Sequence, residues 1–325
     1  MKNLYFLAIL VLFIHGSSKA QTLIAVTNDN GSSFYPTLDL AITNAIAGDF
    51  IYLPGGNFTI SVPIAEKLQI VGVGHNPDSC AVTGITQVTG NFILNSGSDH
   101  GLITGLKIWG SVNFTLTTGQ TLKYFSIERC NLNSVSIATN STNILINECV
   151  IGSVSGSNSQ GILVSKCIFS GGVGGFAANT NINNNIFLNG ITYPTTGCDF
   201  KNNIFLSAGF TPSASYTASY QNNSFTGTVA SLHNCYNNIT APADGLFVKK
   251  TKAGFDYDQD YHVLATSPAH NAGTDKTDLG IYGTVSPWKE GSLPGNPHVQ
   301  RVRSKTVSSL NGNLDVKTKV AAQDL

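Results

Sequence analysis

The chain has 325 residues, 42% of them hydrophobic and 11% charged, with 18 Lys+Arg against 18 Asp+Glu. Ample hydrophobicity without net charge excludes a disordered chain, and the neutral balance argues against nucleic acid or an anionic membrane as the main partner. Glycine, at 33 residues, suits a fold with many tight turns.

Residues 1–20 read as a signal peptide. Lys2 gives the positive start, Leu4 to Ile14 is an apolar run, and Ser18-Lys19-Ala20 offers small residues at a cleavage site after Ala20. The run is shorter than the ~20 apolar residues a spanning helix needs, and no later segment is apolar enough, so no transmembrane segment is expected. Export to the exterior or the cell surface follows, with the periplasm as the other destination.

Next in the chain, Tyr35 to Ile46 has helical spacing, with Leu38, Ile42, Ala45 and Ile46 on one face and Gly48 as a stop. Gly48-Asp49-Phe50-Ile51-Tyr52-Leu53-Pro54-Gly55 then reads as strand and turn. From there a short pattern recurs: apolar, two polar, Cys or Asn, any residue, apolar. The copies run Ile127 to Leu132, Ile146 to Ile151, Val164 to Phe169, Ile182 to Phe187, Phe200 to Phe205 and Tyr220 to Phe225. A weaker copy runs Cys235 to Thr240, and an earlier one, Ile103 to Ile108, has Leu106 in the Cys/Asn place. From Cys130 the steps are 19, 18, 18, 18, 20 and 15 residues.

A period this short cannot hold a pair of helices, but it can hold one turn of a β-solenoid that buries its apolar residues against the next turn. Three ladders follow. The first apolar column is Ile127, Ile146, Val164, Ile182, Phe200 and Tyr220. The middle column is Cys130, Cys149, Cys167, Asn185, Asn203 and Asn223. The last is Leu132, Ile151, Phe169, Phe187, Phe205 and Phe225. The middle Asn residues are expected to turn a corner and to bond along the stack, and the three Cys to be free, buried thiols. Cys80, Cys198 and Cys235 are spaced irregularly and their disulfide state stays open. The position before the middle column reads Arg129, Glu148, Lys166, Asn184, Asn202 and Asn222, and is expected to be a solvated row of alternating charges.

The entrance, with its helix, its Gly48 to Phe58 segment and Leu68-Gln69-Ile70-Val71-Gly72, resembles that of the pectate-lyase-like superfamily of parallel β-helices. The exit, Asp260 to Leu264, Ser267 to Gly273 and Asp278-Leu279-Gly280-Ile281-Tyr282-Gly283, resembles the closing turn of secreted bacterial members. The resemblance spans roughly residues 35 to 285. It implies an all-β, right-handed parallel β-helix over residues 21–286, with an N-terminal capping helix. The rival left-handed β-helix wants an aliphatic residue every six positions, which the intervals here do not provide. Past it, Pro287, Pro294 and Pro297 mark a linker. Val299 to Val320 then alternates around Asn311-Gly312 as a hairpin within a tail over 287–325. That tail carries Arg301, Arg303, Lys305, Lys317 and Lys319 against Asp315. Packing on the helix, covering its last coil and pairing with a partner are all open to it.

Chemistry is harder to find. No coil carries acids paired on adjacent rungs, as calcium-dependent lyases or glycosidases of this fold require. Asp99-His100 is an acid–base candidate set in a turn-rich stretch. Asp256, Asp258 and Asp260 superficially echo a calcium loop, but without its glycine and distant Glu, so calcium is the one cofactor to test. Tyr193, Phe210, Tyr216 and Tyr220 could form a saccharide platform. Two classes of function stay open. The missing motifs favour a non-catalytic protein with a structural or saccharide-binding role. The alternative is a polysaccharide lyase or glycoside hydrolase acting on an extracellular polysaccharide.

Overall fold

The computed structural model describes residues 23–189, 197–207, 217–227, 234–295, 298–304 and 316–321. The expected signal peptide and Asn311-Gly312 lie outside them. The chain is a parallel β-solenoid of about 9 turns. Two sheets, each of 12 strands, run its length, and neighbours in each sheet come mostly from successive coils. The first parallel run begins at Phe50–Tyr52 and ends at Cys235–Tyr236; the second begins at Gly56–Thr59 and ends at Ile239–Thr240.

The entrance is capped by helix α1 (Leu38–Asn44), whose Thr37 hydroxyl accepts from Leu40 N at 3.3 Å. Leu38, Ala41 and Ile42 close the first coil. The helix stops at Ala45, which is extended, so Ile46 leaves the buried face and is 62% exposed. A hairpin not foreseen from the sequence, Ile24–Asn28 with Gly31–Tyr35, adds antiparallel to Phe50–Tyr52 and completes the cap.

The repeat maps onto the register. Ile103, Ile127, Ile146, Val164, Ile182, Phe200 and Tyr220 pair in turn in the first sheet. Ile108, Leu132, Ile151, Phe169, Phe187, Phe205 and Phe225 do so in the second. In-register aromatics must stack: Phe169, Phe187, Phe205 and Phe225 lie 4.8, 4.6 and 4.9 Å apart, centroid to centroid.

The middle column points inward and is fully bonded. Asn203 Oδ1 accepts from Asn185 N at 2.9 Å and from Asn185 Nδ2 at 3.0 Å. Its own Nδ2 donates to Ile182 O at 2.7 Å and to Asn223 Oδ1 at 3.0 Å. One column of carbonyls serves the whole stack. The Cys130, Cys149 and Cys167 thiols donate to Ile103, Ile127 and Ile146 O at 3.5–3.7 Å. The Asn185, Asn203 and Asn223 amides donate to Val164, Ile182 and Phe200 O. Cys and Asn share this column because both are small donors aimed at the same acceptor. Cys80, Cys130, Cys149 and Cys167 are free thiols, and burial holds Cys80 at about 11 and raises Cys130 and Cys149 well above the usual range. Cys198 is buried and Cys235 half-buried.

The corner lies one residue earlier than the sequence suggested. Gly105, Arg129, Glu148, Lys166, Asn184, Asn202 and Asn222 have φ between 49° and 71°. A second left-handed column, His100, Tyr124, Asn143, Gly161, Asn179 and Gly197, precedes it by five residues in each coil. Each three- or four-residue strand of the first sheet from Leu102 to Lys201 is thus bent at both ends.

The corner row is not the solvated stripe expected. Arg129 and Glu148 are 7% and 2% exposed, and the reason is the C-terminal segment, which runs back along the row. Asn222 Nδ2 donates to Ala272 O at 2.8 Å, Asn202 Nδ2 to Thr274 Oγ1 at 3.1 Å, and Asn184 Nδ2 to Gly280 O at 3.3 Å. Lys166 Nζ then donates to Ser286 O and Arg129 Nη1 to Leu293 O, both at 3.0 Å. Glu148 bridges its neighbours, 2.9 Å from Arg129 Nε and 3.3 Å from Lys166 Nζ. The stretch expected as a linker therefore carries contacts, with Trp288 and Leu293 buried.

Beside it lies a second core. Val150, Ile168, Ile186 and Ile204 face outward from the second sheet under Leu246, Phe247, Tyr261, Leu279, Ile281 and Trp288. Tyr257 ties this cover to the early coils: its hydroxyl donates to His75 O at 2.9 Å and accepts from Asn131 Nδ2 at 3.0 Å. With that proton committed, the 2.9 Å contact to His75 Nδ1 requires Nδ1 to carry the hydrogen. In the tail, His298–Ser304 pairs antiparallel with Val316–Ala321, as alternation predicted.

Asn203→Ala leaves the Asn185 backbone N–H buried and unpaired, and should lower unfolding free energy by about 2–4 kcal/mol in urea titration. Glu148→Gln removes the carboxylate from buried Arg129 and half-buried Lys166 and should cost about 2–4 kcal/mol in the same assay. Burial, with Lys107 adding to it, lowers His75 from 6.5 to about 3. The unfolded chain then binds a proton the folded chain refuses. Stability present above pH 6.5 should fall by about 1.4 kcal/mol per pH unit on acidification toward 3. In His75→Gln, chemical denaturation across pH should show that slope reduced by one proton.

Candidate ligand-binding groove

The outer face of the second sheet changes character along the helix. Its C-terminal half is the covered apolar stripe. Toward the N-terminal end the same column continues through Asn131, Lys107, Gln87 and Asn57, which are in register and polar. Beside Phe255 of the cover a groove lies open, lined by Lys107, Trp109, Asn131, Asn133, Gly152 and Ser170 among others.

Trp109 dominates the groove. Ile108 points into the core, so strand alternation sends Trp109 outward. A β-bulge sharpens this: Ile108 pairs with Leu132 and Ser111 with Ser134, so Trp109 and Gly110 together oppose Asn133. The indole is 54% exposed yet fixed. Its Nε1 donates to Gln87 Oε1 at 3.0 Å, and Gln87 Nε2 donates to Asn57 Oδ1 at 2.9 Å. Lys107 Nζ lies 4.1 Å from the ring centroid, a cation–π contact. Gly152 keeps the floor low, because a Cβ there would stand 2.1 Å from Asn133 O. The lining contains one cation and no carboxylate. Such a surface can stack a ring and satisfy hydroxyls with amides.

The residues singled out in the sequence lie elsewhere. Asp99 Oδ1 accepts from Lys123 N at 2.8 Å, while the His100 ring stacks on Tyr124 at 4.8 Å, so each serves the left-handed corner. Asp256 pairs with Lys252 and accepts from Asp258 N at 3.0 Å. Asp260 Oδ1 meets His262 Nδ1 at 2.7 Å. Among the described residues no three His, Cys, Asp or Glu side chains gather as a metal site. Tyr220 is 8% exposed and stacked on Phe200, which removes it from any platform; Tyr193, Phe210 and Tyr216 lie outside the described residues. Trp109 lies on a strand, Lys107–Phe114, and not in the excursions between coils where the sequence places its candidate aromatics. Its signal was the alternation Lys107-Ile108-Trp109.

No protein-family model matches the chain, and no curated protein is similar to it in sequence. The fold alone gives its class, a parallel β-helix protein. Among the described residues no helix is long and apolar enough to cross a membrane.

The two tryptophans differ sharply, Trp109 being 54% and Trp288 7% exposed. Acrylamide should quench one emission component strongly and spare the other. Trp109→Phe should remove the quenchable one; a quenching curve unchanged by that substitution would contradict the exposure described.

Proposed function

We propose that this chain is a secreted or cell-surface β-helix protein of the pectate-lyase-like type that binds saccharide without cleaving it. The entrance and exit motifs support the superfamily, and the signal-like N-terminus supports export. The observation that carries the binding role is Trp109, an exposed indole held rigid by Gln87 and Asn57 beside amide side chains. A pyranose presents an apolar face to such a ring and hydroxyls to such amides. Ring stacking without an adjacent acid pair favours capture over hydrolysis.

A glycan array followed by titration of the hits tests this. Binding should be visible as a shift in Trp109 emission and weakened about tenfold or more in Trp109→Ala. Reducing-end and unsaturated-product assays should stay at background. Glycan binding indifferent to Trp109, or no glycan binding, would remove the reading.

A polysaccharide lyase or glycoside hydrolase is the second reading. In its favour, burial raises the Glu128 carboxyl against the pull of Arg129, as in general acids. Turnover abolished by Glu128→Gln in a protein that still unfolds cooperatively would establish it.

A further inference from the structure

We infer that the groove takes an unbranched, β-linked glycan in extended form, laid parallel to the solenoid axis. This rests on the saccharide reading. The groove is not a pit in one loop. Trp109 comes from one coil, Asn131 and Asn133 from the next, Gly152 from the third and Ser170 from the fourth. In-register strands place equivalent residues about 4.8 Å apart, so four coils make a track about 14 Å long.

A ligand uses such a track fully only if it repeats at a similar interval and lies straight. Chains of β-1,4-linked pyranoses do both, with flat apolar faces and equatorial hydroxyls at the edges. Chains of α-1,4-linked glucose curl into a helix and leave the track after a unit or two. Trp109 offers the ring face for one sugar. Asn133 offers its amide to the next, and Asn131, its Nδ2 donated to Tyr257, offers its carbonyl oxygen. At Gly152 the floor is bare backbone, and the 2.1 Å approach of a Cβ to Asn133 O bars any side chain from rising there. Phe255 walls one side, so a branch directed that way would collide.

Titrating the full chain with cello-, chito- and malto-oligosaccharides of one to six units, by calorimetry and Trp109 emission, tests the inference. For the β-linked series, affinity should climb with each unit to about four and then level off. It should exceed that of malto-oligosaccharides of equal length by about tenfold or more. Ser170→Trp, at the exposed far end, should move the plateau to shorter chains, and a plateau unmoved by it would overturn the four-coil track. A monosaccharide bound as tightly as a tetrasaccharide, or malto-oligosaccharides bound as tightly as β-linked ones, would overturn the extended-chain inference while saccharide binding stood. No binding by any series, together with a blank glycan array, would remove both.

Discussion

Hydrogen bonding from coil to coil is the constraint on which the rest depends. Every strand is completed only by the strand a turn away, so each coil must present the same atoms at the same height. The inward column answers this demand for side chains. Each Asn amide in it accepts from the coil before and donates both to the coil after and to a backbone carbonyl, leaving no buried polar atom idle. A thiol makes the same carbonyl contact, and Cys149 Sγ also accepts from Cys130 N at 3.4 Å, which is why the three Cys coils and the three Asn coils continue one another. The aromatic ladder needs the same fixed height, because rings stack only if register is kept.

Left-handed corners set the shape of each coil, and they impose a cost on any residue with a Cβ, roughly 1–2 kcal/mol. Asn and Gly reduce it at most corners. At Arg129, Glu148 and Lys166 nothing in the residue type reduces it, and these three instead form an ion-paired row, buried at Arg129 and Glu148 and half-buried at Lys166. That row survives burial because each charge is paired and the returning C-terminal segment supplies further acceptors at Ser286 and Leu293. The same segment covers the apolar stripe from Val150 to Ile204. Beside Phe255 the outer face around Trp109 is left uncovered, and there the groove lies.

How much of this was legible follows from the reach of each interaction. The repeat, the Asn stack, the buried thiols and the capping helix follow from spacing along the chain, and the structure has all of them. The residue after the four middle members of the Cys/Asn column, read as indifferent, is Val150, Ile168, Ile186 and Ile204. Its apolar regularity was visible, but its partner lies a hundred or so residues downstream, so its meaning was not. Trp109 was legible as outward-facing, yet nothing local distinguishes an outward Trp that is later covered from one that stays open.

Sequence alone determined the solenoid, because a coil's inward residues recur with the coil and leave a periodic trace. Tertiary structure decided which outward residues are buried, which charges become a sealed row, and where the surface stays open. Those outcomes depend on where a non-repeating C-terminal segment lies against the repeats, a contact between distant parts of the chain that leaves no period to read.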